Sequence, residues 1–189
     1  FCCLRSLYEI SGAGQHRRRS LPVVFDELEV LYGQGCRFFR FQADNFFPSP
    51  QTEEADAFVA EFCREIRKRK LDIKFYMACR VNDLNKKRLQ ALKEVGLVGV
   101  FIGVESIIAS DLRRFNKNTS LGEICSAINL LTREGLLYDC GYIFFNPWST
   151  AADLRNSANF LVKVGLEHFP YGAYRMKAHP HTEIFRNIE

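Results

Sequence analysis

The chain has 189 residues, 47% hydrophobic and 25% charged, with a net charge of +4. That is enough for one sizeable α/β domain, 1–189, and the charge is too mild to imply a nucleic-acid partner by itself. No apolar run is long enough to span a membrane and no signal peptide precedes the fold, so no membrane partner is expected.

The chain opens on Phe1-Cys2-Cys3 rather than on Met, which reads as a fragment. Of its seven cysteines, Cys36, Cys63, Cys79, Cys125 and Cys140 lie inside apolar helix or strand patterns. That predicts buried free thiols in a reducing, cytoplasmic compartment. The 17 phenylalanines predict an aromatic-rich interior.

Residues 1–20 are not periodic, and Ser11-Gly12-Ala13-Gly14 and Arg17-Arg18-Arg19 read as an exposed, solvated loop. Ser20 is an expected N-cap with Pro22 behind it. Val24, Leu28 and Leu31 then share one face of a helix that stops near Gly33 and Gly35. Arg37 to Phe41 alternates as a strand and runs into Gln42-Ala43-Asp44-Asn45. Thr52 is expected to cap a second helix with Phe58, Phe62 and Ile66 on its apolar face, and the basic run Arg64 to Lys70 suits its negative end. Ile73 to Cys79 is the next strand, with Arg80 at its end. A third helix carries Leu89 and Leu92 and stops at Gly96.

Val98 to Val104 is apolar or glycine throughout and rich in β-branched residues, as in a strand buried on both faces. It stops at Glu105. A short helical segment follows at Asp111 to Phe115. Ser120 and Glu123 form a capping box for a helix with Ile124, Ile128 and Leu131 inward and Gly135 at its end. Tyr142 to Phe145 is a strand leading into Asn146-Pro147-Trp148. Thr150 and Asp153 open another helix, with Leu154, Ala158 and Leu161 inward and Gly165 as its stop. Tyr171 to Lys177 is a last strand, followed by His179, Pro180, His181 and Thr182.

Five strands are therefore expected, near 37–42, 72–79, 98–104, 140–145 and 171–177, alternating with helices. Parallel strands need such crossovers. The fold class expected is α/β: a partial (β/α)6-type TIM-like barrel of parallel strands, its first strand missing before Phe1. The strand tips carry Asp44 and Asn45, Arg80, Glu105 and Ser106, Asn146, and Lys177. On a parallel sheet the C-terminal ends face the ligand side. A mixed set of acids, amides and cations suits a zwitterionic, hydroxyl-bearing ligand.

The order of these motifs resembles radical S-adenosylmethionine enzymes. Phe1-Cys2 is similar to the end of that family's Cys-x3-Cys-x-Phe-Cys loop. Asp44-Asn45-Phe46, Ala78-Cys79-Arg80-Val81, Gly103-Val104-Glu105-Ser106 and Gly141 to Pro147 follow in the family's order, and Ala178 to Ile184 is similar to its closing loop. The Asn146-Pro147-Trp148-Ser149-Thr150 form is most like the subclass that carries an upstream cobalamin-binding domain. The resemblance implies a [4Fe–4S] cluster on three cysteines, with S-adenosylmethionine at the open iron and its sulfonium bond broken by one electron. It implies Cys2 as the third cluster ligand. It puts Asp44 and Asn45 at the methionine amino group, Arg80 and Glu105 at the carboxylate or ribose with Ser106 beside them, and Asn146 and Pro147 at the adenine. Cobalamin, a small-molecule or peptide substrate, and an electron donor such as flavodoxin or ferredoxin complete the implied set. The first two cluster cysteines fall before Phe1, so residues 1–189 alone are expected to be inactive.

Two other readings compete. A (β/α)-barrel lyase or hydrolase without iron would use Glu105, Lys177, His179 and His181. An RNA-binding, tRNA-modifying module would use Arg17 to Arg19 and Arg64 to Lys70, and ranks last because no RNA motif accompanies them.

Overall fold

A computed structural model describes residues 8, 10–12, 18–48, 53–166, 174–186 and 188. Helices and strands alternate along them: α1 (Leu21–Gly33), β1 (Phe38–Arg40), α2 (Glu53–Lys68), β2 (Lys74–Arg80), a 3-10 turn (Val81–Asp83), α3 (Lys86–Glu94), β3 (Leu97–Glu105), α4 (Ala109–Arg114), α5 (Leu121–Arg133), β4 (Leu137–Tyr142), α6 (Ala151–Lys163) and α7 (Glu183–Arg186). The strands form one sheet in the order β1-β2-β3-β4. β1 pairs with β2, and β2 with β3, in parallel. The expected α/β architecture of parallel strands and helical crossovers is thus present. The chain divides into two compact units, one of Arg18–Gly103 with Cys125–Cys140, the other of Phe1–Arg17, Val104–Ile124 and Gly141–Glu189.

The core of the first unit is aromatic. The Phe62 ring lies 5.3 Å from Phe25, 5.2 Å from Phe46 and 5.5 Å from Phe75. Phe25, Phe47, Phe62 and Phe75 are all at most 1% exposed. Each such ring contributes about 1.5–3 kcal/mol of burial, with edge-to-face pairs adding to it. Leu89 and Leu92 of α3 are fully buried, as their spacing predicts. Gly96, at φ +108°, lets the chain reverse from α3 into β3; a Cβ there would stand 1.9 Å from the Ile73 carbonyl oxygen. The β2–β3 register slips by one residue between Phe75 and Tyr76. Just beyond it, Gly99 admits the Tyr76 ring at a distance a Cβ would reduce to 2.7 Å.

In the second unit, α6 has the capping box its sequence predicts. Thr150 Oγ1 accepts from the Asp153 amide at 3.2 Å, and the Asp153 carboxylate accepts from the Thr150 amide at 3.0 Å. This hydrogen bonding holds the Asp153 carboxyl below the usual carboxylate range. Ser120 and Glu123 make the same reciprocal pair before α5.

Several expectations need correction. Cys36 is exposed, in the turn after α1, while Cys63, Cys79 and Cys140 are buried. The inward face of α6 is Ser157, Phe160 and Leu161 rather than Leu154, Ala158 and Leu161. Ser157 tolerates burial because its Oγ accepts from the Tyr142 hydroxyl at 2.7 Å. β4 begins at Leu137, three residues before the expected start, directly after the Gly135 stop. Of the last expected strand, 171–173 lie outside the described residues, and the rest makes only an isolated parallel bridge between Phe145 and Arg175. Thr52, expected to cap α2, also lies outside the described residues.

Candidate functional site

In the first unit the chain leaves β1 and crosses beside β2. The Phe41 amide donates to the Tyr76 carbonyl at 2.9 Å, and the Phe46 amide to that of Ala78 at 2.8 Å. Between them, Asp44 is exposed and Asn45 half-buried. Asn45 Oδ1 accepts from the Phe47 amide at 3.3 Å, closing an Asx turn. Arg18 clamps this loop from outside. Its guanidinium donates to the Phe46 carbonyl at 2.7 Å and the Asn45 carbonyl at 3.2 Å, and lies 4.7 Å from the Phe58 ring centre. Burial lowers its pKa, since the charged form loses water.

Arg80 ends β2 with its side chain exposed. Its amide donates to Asp83 Oδ2 at 3.1 Å. Arg88 sits behind this turn, only 3% exposed. It donates to Asp56 Oδ1 at 2.6 Å and to the Asp83 carbonyl at 3.1 Å, and the Asp56 carboxyl is held low mainly by that bond. Sequence reasoning missed Arg88. The available signal is its spacing, one residue before Leu89 and four before Leu92, on the buried side of α3.

In the second unit Glu105 ends β3 at φ +64°. A left-handed conformation is uncommon for a residue with a side chain and costs on the order of 1–3 kcal/mol. It is held there from both sides: the Ile143 amide donates to its carbonyl at 2.8 Å, and the Ser106 amide turns back to the Val104 carbonyl at 2.8 Å. The Glu105 carboxylate and Lys117 Nζ are 3.4 Å apart, each side chain 19% exposed. Burial raises the Glu105 carboxyl above the ordinary glutamate value, and Lys117 opposes that rise.

Ser106 is buried and spends its hydroxyl locally, donating to Asp111 Oδ2 at 3.2 Å and accepting from the Ile108 amide at 3.1 Å. Asn146 is committed at both ends of its amide. Nδ2 donates to Asp111 Oδ2 at 2.9 Å, and Oδ1 accepts from the Trp148 amide at 3.0 Å. Pro147 beside it is exposed. Asp111 and Lys117 were missed as site residues. Asp111 was legible only as part of a short helical segment, and nothing in the spacing of Lys117 pointed to Glu105.

Lys177, His179 and His181 are exposed. Among the described residues no three His, Cys, Asp or Glu side chains gather to hold a metal ion. Burial raises the pKa of the Cys63 and Cys79 thiols, which disfavours the thiolate that metal ligation needs. Cys2 lies outside the described residues.

No family model matches the chain. It is 32% identical over 144 residues to the anaerobic magnesium-protoporphyrin IX monomethyl ester cyclase of Rubrivivax gelatinosus, covering 75% of this chain and 25% of that protein. It is 24% identical over 169 residues to an uncharacterised methyltransferase of Pyrococcus horikoshii, covering 89% of this chain and 36% of that protein. The chain thus spans a quarter to about a third of the length of these relatives. Among solved structures, the radical S-adenosylmethionine methyltransferase TsrM of Kitasatospora setae, with cobalamin and a [4Fe–4S] cluster bound, superposes with a TM-score of 0.67 at 18% identity. That match covers 80% of this chain and 28% of that one. The cobalamin-dependent S-adenosylmethionine radical enzyme OxsB superposes with a TM-score of 0.65 at 22% identity, covering 78% and 23%. These likenesses establish the shared fold.

Proposed function

We propose, for a chain that belongs to the radical S-adenosylmethionine superfamily, that the complete protein cleaves S-adenosylmethionine reductively at a [4Fe–4S] cluster to start radical chemistry on a small-molecule substrate. The observation that carries the reading is Glu105, a strained, half-buried carboxylate at the C-terminal end of a central parallel strand, paired with Lys117. Open α/β sheets bind ligands at that end, and backbone strain of this kind concentrates at ligand sites. The relatedness to a cyclase and a methyltransferase supports it.

In this reading Cys2 holds the cluster, with the other thiolates outside Phe1–Glu189. The bound cluster, S-adenosylmethionine and, in the subclass proposed here, cobalamin supply the one-electron and methyl-transfer chemistry. The protein's part is to bind and orient. In the first unit, Asp44 and Asn45 are assigned to the methionine amino group and Arg80 to the carboxylate or ribose. In the second, Glu105 accepts hydrogen bonds from the ribose or offsets the ammonium. Because the Asn146 side-chain amide and its backbone N–H and carbonyl are all committed, Pro147 is the part of this segment left to meet adenine. A flavodoxin or ferredoxin is the proposed electron source. The buried thiols Cys63 and Cys79 suit a reducing, cytoplasmic setting.

The test is made on the complete protein purified without oxygen. It should carry about four irons per chain with matching sulfide, and should release 5′-deoxyadenosine from S-adenosylmethionine when a low-potential reductant is added. Cys2→Ser should lose both. Turnover that survives air and iron removal would leave the hydrolase or lyase reading in its place.

A further inference from the structure

Among the described residues of the second unit, the buried carboxylate of Asp111 joins two loops. Asp111 is 5% exposed. Its Oδ2 accepts from Ser106 Oγ at 3.2 Å and from Asn146 Nδ2 at 2.9 Å. Its Oδ1 accepts from the Arg114 guanidinium at 3.3 Å. The Arg114 side chain is 41% exposed, so that ion pair is screened and contributes little. Of the two neutral donors, Ser106 is buried and Asn146 half-buried, settings where an orphaned partner is costly.

Those donors sit at informative places. Ser106 directly follows the strained Glu105, and Asn146 begins the Asn146-Pro147 turn. Each is fixed a second time: Ser106 Oγ accepts from the Ile108 amide, and Asn146 Oδ1 from the Trp148 amide. The Asn146 amide therefore has one orientation only, nitrogen to Asp111 and oxygen to Trp148. A single carboxylate thus sets the backbone that follows β3 and the backbone that follows β4.

We propose that Asp111 is a positioning residue for S-adenosylmethionine, acting through Ser106 and Asn146 to hold the Glu105–Ser106 and Asn146–Pro147 segments in their binding geometry. This rests on the function proposed above. It assigns Asp111 no contact with the ligand and no proton transfer.

A reciprocal exchange in the complete, cluster-loaded protein tests it. Asn146→Asp sets two carboxylates against each other; adding Asp111→Asn restores a donor between them with the direction reversed. Asn146→Asp alone should weaken equilibrium binding of S-adenosylmethionine about tenfold and raise its KM in proportion, with the kcat of cleavage little changed, the signature of a lost binding contribution. The double variant restores the bond to residue 146 but leaves the Ser106 hydroxyl facing a donor, because both donors share Oδ2, so binding should recover to about the level of Ser106→Ala, the coupling expected of directly bonded neighbours. Ser106→Ala, which keeps the fold's shape, should weaken binding by a smaller factor in the same direction. If the double variant binds no better than Asn146→Asp, or if thermal stability falls while binding and KM stay put, Asp111 is a packing residue and the inference fails alone. If cluster-loaded wild type does not bind S-adenosylmethionine, the functional reading and this inference fall together.

Discussion

Glu105 combines two unfavourable features in one residue, a left-handed backbone and a carboxylate withdrawn from water. Its carboxyl is raised mainly by burial, and the Lys117 ammonium opposes the rise. For folding the sign is clear. A raised carboxyl contributes stability that is present below the ordinary glutamate value of 4.5 and lost as pH rises through the higher folded value. In the role proposed for Glu105, ligand binding would run the other way, because an ammonium or a ribose hydroxyl would be held by the ionised form. Affinity for S-adenosylmethionine in the complete protein should therefore fall as pH drops, with a midpoint above 4.5. Lys117→Met should move that midpoint further up by removing the opposing cation. Binding titrations across pH check this, and a midpoint that ignores Lys117 would remove Glu105 from the binding set. The sequence made Glu105 legible as the polar stop of an apolar run. Its positive φ and its pairing with Lys117, twelve residues on, were not legible, since both depend on how the chain turns after β3.

At the scale of elements, the helix ends were the most legible features. The reciprocal bonds at Thr150–Asp153 and Ser120–Glu123 form where the capping spacing predicts, and Gly96, Gly135 and Gly165 all stop helices at positive φ. These are local rules, satisfied within four or five residues of chain. What escaped was set by partners far away in sequence. Ser157 displaces Ala158 from the inner face of α6 because a hydroxyl fifteen residues earlier satisfies it. The chain around Gly96 carries a sharper consequence. An alanine there would meet the Ile73 carbonyl at 1.9 Å as well as adopt φ +108°. Backbone atoms cannot swing aside as a side chain does, so the entry to β3 must shift. Gly96→Ala should cost about 2–4 kcal/mol, read as a lowered midpoint in urea with an unchanged slope. Gly35→Ala, also at positive φ but with nothing within 4 Å of a Cβ, should cost clearly less.

Across the whole molecule, the charge pattern bears on what kind of partner the protein meets. The basic stretches singled out in the sequence are largely answered by the protein's own acceptors. Arg18 is held by two backbone carbonyls and Arg19 by Glu27. Arg67 pairs with Glu94 at 2.8 Å, and Arg69 with Asp26, Glu29 and Glu65 at 2.9, 2.6 and 3.2 Å. Arg64 and Lys68 each have a glutamate within 4 Å one helical turn away. Exposed pairs of this kind add little stability, but they do cancel the positive field that would attract a phosphate backbone. A run of cations on a sequence therefore overstates the basic surface, because acids from α1, α2 and α3 answer it. If the fold leaves few cations to phosphate, binding of the complete protein to a single-stranded RNA should release few counterions. The slope of log K against log salt should then be shallower than about −2, since each neutralised phosphate on a single strand contributes about −0.7. A slope steeper than about −4 would mean that six or so phosphates are engaged and would bring the RNA-modifying reading back.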